Sequence, residues 1–322
     1  MPSILITGGS GFIGSHIVEE CVQQQYNCIR ILDDLSSGNI HNIDSFLSLP
    51  NVEYFKGSIT NLNLCRRLMK GMTMVCHQAA KISVPESIDN PFQTHHHNVS
   101  GFMNLLLAAK EQNVKRIVYA SSSAVYGDNT DSSKVESAIG DALSPYAVTK
   151  RIDELYAKVF TNCYGMEIIG LRYFNVYGPR QNPNGPYAAV ISKFTQQLLD
   201  KNPVIIYGDG SYSRDFVYVK DIVRANMRAL ETTNPQCFGS VYNIGTGESC
   251  TILELYEILQ TIINQSPILP IFKKNRLGDI PHSCADISKA EQELNYLPSY
   301  CLQDGLANYL ESITKKSITK NN

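Results

Sequence analysis

The chain has 322 residues, 43% of them hydrophobic and 18% charged, with a net charge of −2. This composition allows a sizeable globular core and argues against nucleic acid or an anionic membrane surface as the main partner. No apolar run reaches the ~18 residues of a membrane span, and no basic segment with a long apolar run opens the chain, so neither an anchor nor a signal peptide is expected.

"SILIT" (Ser3–Thr7) is a short apolar run closed by glycines and reads as a buried parallel strand. "FIGSHIVEECVQQ" has helical periodicity, and "CIRILDD" is a second strand ending in two acids. "VEYFKG", "MVCHQAA" and "RIVYASSS" read as further strands, with helical segments such as "NPFQTHHHNVSGFMNLLLAAKEQ" between them. The alternation runs to "EIIGLRYFN" and predicts an α/β fold built on a doubly wound parallel sheet. From Val176 the texture changes. "VYGPRQNPNGPYAA" reads as a long loop, and helices and short strands are then mixed, as in "TILELYEILQTII" and "AEQELNYL", in a smaller mixed α/β region. "SVYNIG" reads as a strand that rejoins the first sheet. The expected division is therefore interleaved: residues 1–175 and 215–248 in one domain, 176–214 and 249–322 in the other.

Nine cysteines, an odd number with no CxxC, fit free buried thiols in a reducing cytoplasm. The run His95–His97 reads as a solvated helix face, because adjacent helical residues point in different directions and cannot converge on a metal. No metal site is expected.

"TGGSGFIGS" places Gly8, Gly11 and Gly14 between the first strand and the first helix. Glycines there permit a tight turn and let a pyrophosphate reach the helix N-terminus. Asp33 ends the second strand 19 residues after Gly14, where a carboxylate can accept from a ribose diol. A carboxylate repels a 2′-phosphate, so NAD is expected over NADP.

In "SPYAVTKRIDE", Ser144 suits an N-cap and Pro145 the first helical turn. Tyr146 and Lys150 then share one helix face. A phenol titrating near ~10 is a poor base at neutral pH; a nearby ammonium and an oxidised nicotinamide both favour phenolate. Such a pair can take a hydroxyl proton as the same carbon is oxidised. "YASSSAVYG" puts Ser121, Ser122 and Ser123 at the C-terminal edge of the sheet, where ligands bind and where a hydroxyl can hold a substrate oxygen.

TGGSGFIG, HQAA, SSSAVYG, PYAVTK and RYFNVYGPRQ, in this order, resemble the extended short-chain dehydrogenase/reductase family, and within it the NAD-dependent nucleotide-sugar 4-epimerases. The resemblance runs from Ile4 to about Leu310 and implies a Rossmann domain carrying a smaller substrate domain. It implies that Tyr146 is the base, Lys150 its electrostatic partner and nicotinamide-ribose ligand, and Ser122 the partner of the substrate hydroxyl, with Ser123 the alternative. It further implies cofactor contacts by Phe12, Ile13, Asp34, Ser36, Ser37, Gly38, Ser58, Ile59, Gln78, Ala79, Ala80, Lys81, Asn98, Ala120, Tyr173 and Val176. The sugar nucleotide would meet Ser83, Asn175, Ala189, Val190, Tyr207, Arg214, Arg276, Asp279 and Ser283. Two arginines suit a diphosphate, since guanidinium binds phosphate bidentately. One departure stands out: where the family has an aspartate in GD[IL], this chain has Gly57-Ser58-Ile59. A neutral Ser58 can hydrogen-bond an adenine amino group without contributing charge.

The family shares oxidation at the sugar C4 and diverges in the later steps. A 4,6-dehydratase carries an acid–base pair after the serines; here Ala124 and Val125 can transfer no proton. The expected reaction is C4 epimerisation of a UDP-hexose through a 4-keto sugar, in a cytoplasmic homodimer feeding cell-surface polysaccharide synthesis. Ser283 aligns with a position that is a bulky tyrosine in relatives confined to non-acetylated hexoses, so UDP-N-acetylglucosamine and UDP-N-acetylgalactosamine, or their uronic acids, are the expected substrates. The alternatives are a UDP-glucose 4-epimerase, a 4-ketoreductase or dehydrogenase that releases its nicotinamide, and a non-catalytic NAD-sensing scaffold.

Overall fold

The structure is a computed structural model and describes residues 2–183, 189–263, 266–275 and 280–320. Numbering only the strands of the central sheet, β1 is Ser3–Thr7, β2 Cys28–Asp33, β3 Val52–Lys56, β4 Met74–His77, β5 Arg116–Ser122, β6 Glu167–Tyr173 and β7 Val241–Ile244. All pair in parallel, in the order β7-β6-β5-β4-β1-β2-β3. The direction of winding reverses between β1 and β4, and a crevice opens beyond their C-terminal ends.

Both faces of the sheet are covered. In β1, Ile4 and Ile6 join Ile17 and Val18 of helix Phe12–Gln23 and Ile222 of helix Val219–Glu231. Leu5, between them, points to the other face, with Cys65, Leu68, Phe102, Leu105 and Phe160 from three further helices. Alternate residues of one strand thus feed two cores, which is why the strand reads as an unbroken apolar run.

Helix Pro145–Tyr164 begins as its sequence predicts. The Ser144 hydroxyl oxygen accepts from the Ala147 N–H at 3.2 Å, and Gly165 closes the helix with φ of +65°. The segment read as one helix through the histidines is broken by geometry: α-helix over Pro91–His95, a π-turn over His96–Ser100, then α-helix over Gly101–Glu111. Such widened turns recur at functional sites, and this one carries Asn98 into the interior.

The smaller region differs from the expected loop. Asn175–Tyr177 is a strand paired with Phe216–Tyr218, and Tyr177 and Tyr218 are buried in a third core with Phe194, Leu255 and Leu306. A four-stranded sheet joins Cys250–Thr251, Ser213–Arg214, His282–Ala285 and Ser133–Lys134 in that order, so a piece of the first half of the chain pairs within the second. All nine thiols are free. Cys21, Cys65, Cys76 and Cys237 are buried as expected; Cys163, in the last turn of its helix, and Cys301 are exposed.

A buried ion pair fixes the tyrosine helix to the sheet. Arg172 of β6 holds Glu154 through two bonds of 2.8 Å, and the two side chains are 1% and 3% exposed. Arg172 also donates to the Tyr126 hydroxyl and to the carbonyl of Glu136. Tyr126 in turn donates to Asn243 of β7. One network therefore ties helix, sheet and the loop after the serines into a rigid frame.

Candidate active site

A cleft of about 580 Å³ runs along the C-terminal ends of β1, β2, β4, β5 and β6 and under the smaller region. Gly8, Gly11 and Gly14 form its floor at one end. Gly8 has φ of +70°, and a side chain there would meet the backbone of Ala79 at 2.7 Å; one on Gly14 would collide with the carbonyl oxygen of Gly8. Helix and strand end therefore approach as only glycines allow. The helix starting at Phe12 has Gly11 as N-cap with no side-chain capping bond, and Phe12, Ile13 and Gly14 line the cleft. Its first-turn N–H groups lack intrahelical acceptors and suit an anion.

Asp33 is 6% exposed at the end of β2. Its carboxylate accepts from the Ser10 N–H at 2.9 Å and the Leu35 N–H at 2.8 Å. Burial raises its pKa, and those two bonds pull the other way. Asp34, Ser36, Ser37, Gly38, Ser58 and Ile59 line the same end. Ser58 accepts the Thr60 hydroxyl at 3.0 Å. An uncapped helix start beside a buried acceptor fits a dinucleotide: amides for its phosphates and a carboxylate for a ribose diol.

At the centre, Tyr146 is 8% exposed and Lys150 2%. The Tyr146 N–H donates to Ser87 Oγ at 3.1 Å. Lys150 Nζ donates to the carbonyl of Ala120 at 2.8 Å and stands 3.7 Å from Asp153. Behind them, Asn98 is fully engaged: it accepts from the Lys81 N–H, donates to the Lys81 carbonyl, and donates to Thr149 Oγ1, with bonds of 2.8, 3.0 and 3.0 Å. Asn98 thus lies behind the cleft wall and registers two cleft elements against each other. His77, under Lys150, is buried and held to about 3 by burial and by that lysine's charge. It is therefore neutral, and it bonds Thr7 at 2.7 Å.

The three serines separate. Ser121 donates to Glu154 Oε1 at 2.7 Å and is spent in the frame. Ser122 Oγ accepts from the Ala124 N–H at 3.1 Å, capping a short turn at the cleft. Ser121, Ser122, Ser123 and Ala124 all line the cleft. Gln78, Ala79, Ala80, Lys81, Ala120, Tyr173 and Val176 line it too, and Tyr173 donates to Gln78 at 3.2 Å.

On the far side lie Asn175, Arg214 and Ser283. Arg214 and Ser283 are register partners on adjacent strands. Arg214 donates to the carbonyl of Ser213 at 2.8 Å, and Asn175 donates to that of Asp215 at 3.1 Å. Besides Asn98, four sequence-selected residues are absent from the lining. Ser83 caps helix Val84–Asp89, Ala189 and Val190 start helix Val190–Leu199, and Tyr207 ends a strand. Arg276 and Asp279 lie outside the described residues.

The lining also includes His97, expected on a solvated face, and residues that the sequence did not single out, among them Ile82, Phe174, Gln181 and Ile280. His95 and His96 are exposed as expected; His97 turns into the cleft, with its pKa lowered by burial and by Lys81. Its position one residue before Asn98, and that of Gln181 directly after the GPR run, are the only sequence signals. Among the described residues, no group of three or more His, Cys, Asp or Glu could hold a metal ion, and no helix is long and apolar enough to cross a membrane.

Residues 4–245 match the NAD dependent epimerase/dehydratase family. The chain belongs to that family. It is 39% identical over 305 residues to the "Putative UDP-glucose 4-epimerase" of Methanocaldococcus jannaschii, covering 94% of this chain and 95% of that protein. It superposes with a TM-score of 0.92, at 37% identity and 98% and 99% coverage, on UDP-N-acetylglucosamine 4-epimerase from Methanobrevibacter ruminantium, solved with UDP-N-acetylmuramic acid. The dTDP-glucose 4,6-dehydratase DesIV from Streptomyces venezuelae, solved with NAD bound, superposes at a TM-score of 0.89, 31% identity and 98% coverage of both chains.

Proposed function

We propose that the chain is a UDP-hexose 4-epimerase whose preferred substrates carry an N-acetyl group at C2. The observation that carries the epimerase reading is the acid inventory of the cleft. Among its described lining residues, the only carboxylates are Asp33 and Asp34, at the end of β2. Ala124 stands beside the serines, where elimination needs a proton donor.

NAD would be held by the amides at Gly11–Gly14, by Asp33 and by Lys150; when bound, it supplies reversible oxidation at the sugar C4. Tyr146 accepts the O4 proton and later returns it. Lys150, anchored on Ala120, keeps its positive charge on the same helix face as the phenol. Ser122, fixed by its turn, offers a hydroxyl to O4. Arg214 takes the diphosphate, while the sugar is held loosely enough to turn over and present its other face.

Support for the acetylated sugar comes from Ser283. It is small and lines the cleft beside Arg214, leaving room for an N-acetyl group in both orientations of the ring. A cytoplasmic homodimer serving polysaccharide synthesis belongs to the same reading. Its support is an apolar face in which Phe92 is 80%, Val148 44%, Leu155 54% and Val159 50% exposed, on two adjacent helices.

Tyr146→Phe tests the assignment. Turnover should fall by ~10²-fold or more with UDP-sugar binding retained; a loss under about tenfold contradicts it.

A further inference from the structure

Asp153 sits three residues after Lys150 on the same helix, and its carboxylate comes within 3.7 Å of Nζ; the side chains are 1% and 2% exposed. Neither carboxylate oxygen has a hydrogen-bond partner. Buried polar groups are nearly always paired, and an unpaired carboxylate is among the costliest exceptions. An apolar side chain would fill this core-facing position at less cost. The distance to Nζ is too long for a hydrogen bond and short enough for a strong direct charge interaction. Lys150 spends one of its three donors on Ala120, so Asp153 is not needed to anchor it.

We infer that Asp153 is a positioning residue, a buried counter-charge behind Lys150 that sets how much of the ammonium's field reaches Tyr146. The inference rests on Tyr146 being the base. The groups facing Asp153 are Lys150 and Glu154 on its own helix and Tyr119 from β5. Glu154 is itself held by Arg172 of β6, and His77 of β4, beyond Lys150, is neutral. The elements on the helix's outer side contribute Asn98 and Ser87, neither of which titrates. Burial pushes the Asp153 carboxyl up to about 7, against the pull of Lys150. Its charge therefore changes near neutral pH. Protonated, it leaves the full charge of Lys150 acting on Tyr146; ionised, it offsets that charge.

The test is Asp153→Asn in the NAD-loaded protein, which keeps the side-chain size and removes the charge. The Tyr146 phenol titration is read from carbon-labelled tyrosine rings and assigned with Tyr146→Phe. Its midpoint should move down by about half to one pH unit, and the acid limb of the pH–rate profile should move with it. Asp153→Glu, which keeps the charge, should retain the wild-type midpoint. An unmoved or raised midpoint in the folded asparagine variant overturns the inference. Should that variant not fold, wild type decides. A phenol curve broadened by the ionisation of Asp153 supports the coupling; a single-site curve overturns it. The titration is read without substrate, so its failure is distinct from failure of the epimerase reading, which would appear as undiminished turnover in Tyr146→Phe.

Discussion

The Ser121 hydroxyl donates to Glu154 Oε1 at 2.7 Å, within a frame in which Arg172 grips the same carboxylate. On the proposed function, the three consecutive serines divide between structure and chemistry. Ser121→Ala should lower stability by about 1 kcal/mol, the worth of one hydrogen bond, and leave kcat nearly unchanged. Ser122→Ala should do the reverse, with kcat reduced ~10-fold or more and little change in thermal midpoint. Paired kinetics and thermal melts on the two variants check this. Equal kinetic losses would mean that the serines do not divide as their bonds do.

Glu154 and Arg172 are a buried ion pair with 3% and 1% exposure. Removing one partner strands the other charge in the core, so Glu154→Leu should cost about 3–5 kcal/mol in denaturant unfolding. Replacing both, as Glu154→Leu with Arg172→Met, should cost less than the sum of the single changes. Additive losses would show that the pair is not acting as a unit.

How far the sequence could be read depends on the range of each interaction. The glycine turn, the Ser144-Pro145 helix start and the Tyr146–Lys150 spacing are local, and each appears in the structure with the conformation its residues imply. The fate of Ser121 was not legible, because its acceptor lies 33 residues away. Nor was the pairing of Ser133–Lys134 with Cys284–Ala285, since two residues carry no strand periodicity. The π-turn at His96–Ser100 hides within an ordinary helical pattern. It is revealed only by what Asn98 reaches in three dimensions.

Asp153 also predicts a pH dependence of stability. Its carboxyl titrates at about 7 in the folded protein, against ~3.9 for an unperturbed aspartate. Between those values the folded state holds a proton that the unfolded state has lost, so this group's contribution to stability falls as pH rises from ~4 to about 7. Asp153→Asn should flatten that part of the profile. Urea midpoints for wild type and variant across this range would check it; parallel profiles would contradict it.

Ser283→Tyr should suppress turnover of UDP-N-acetylglucosamine by ~10-fold or more, about 1.4 kcal/mol of transition-state binding, while sparing UDP-glucose. Steady-state kinetics on both sugars decide it. Equal loss on both would mean that Ser283 shapes the cleft without selecting at C2.

The most direct measurement is to incubate the protein as purified, without added nicotinamide, with UDP-N-acetylglucosamine, and monitor the sugar by proton NMR. The account predicts conversion to an equilibrium mixture with UDP-N-acetylgalactosamine, sustained over many turnovers because the cofactor is restored in each cycle. No conversion of this sugar, or a keto or reduced product formed only in proportion to added nicotinamide, would contradict it.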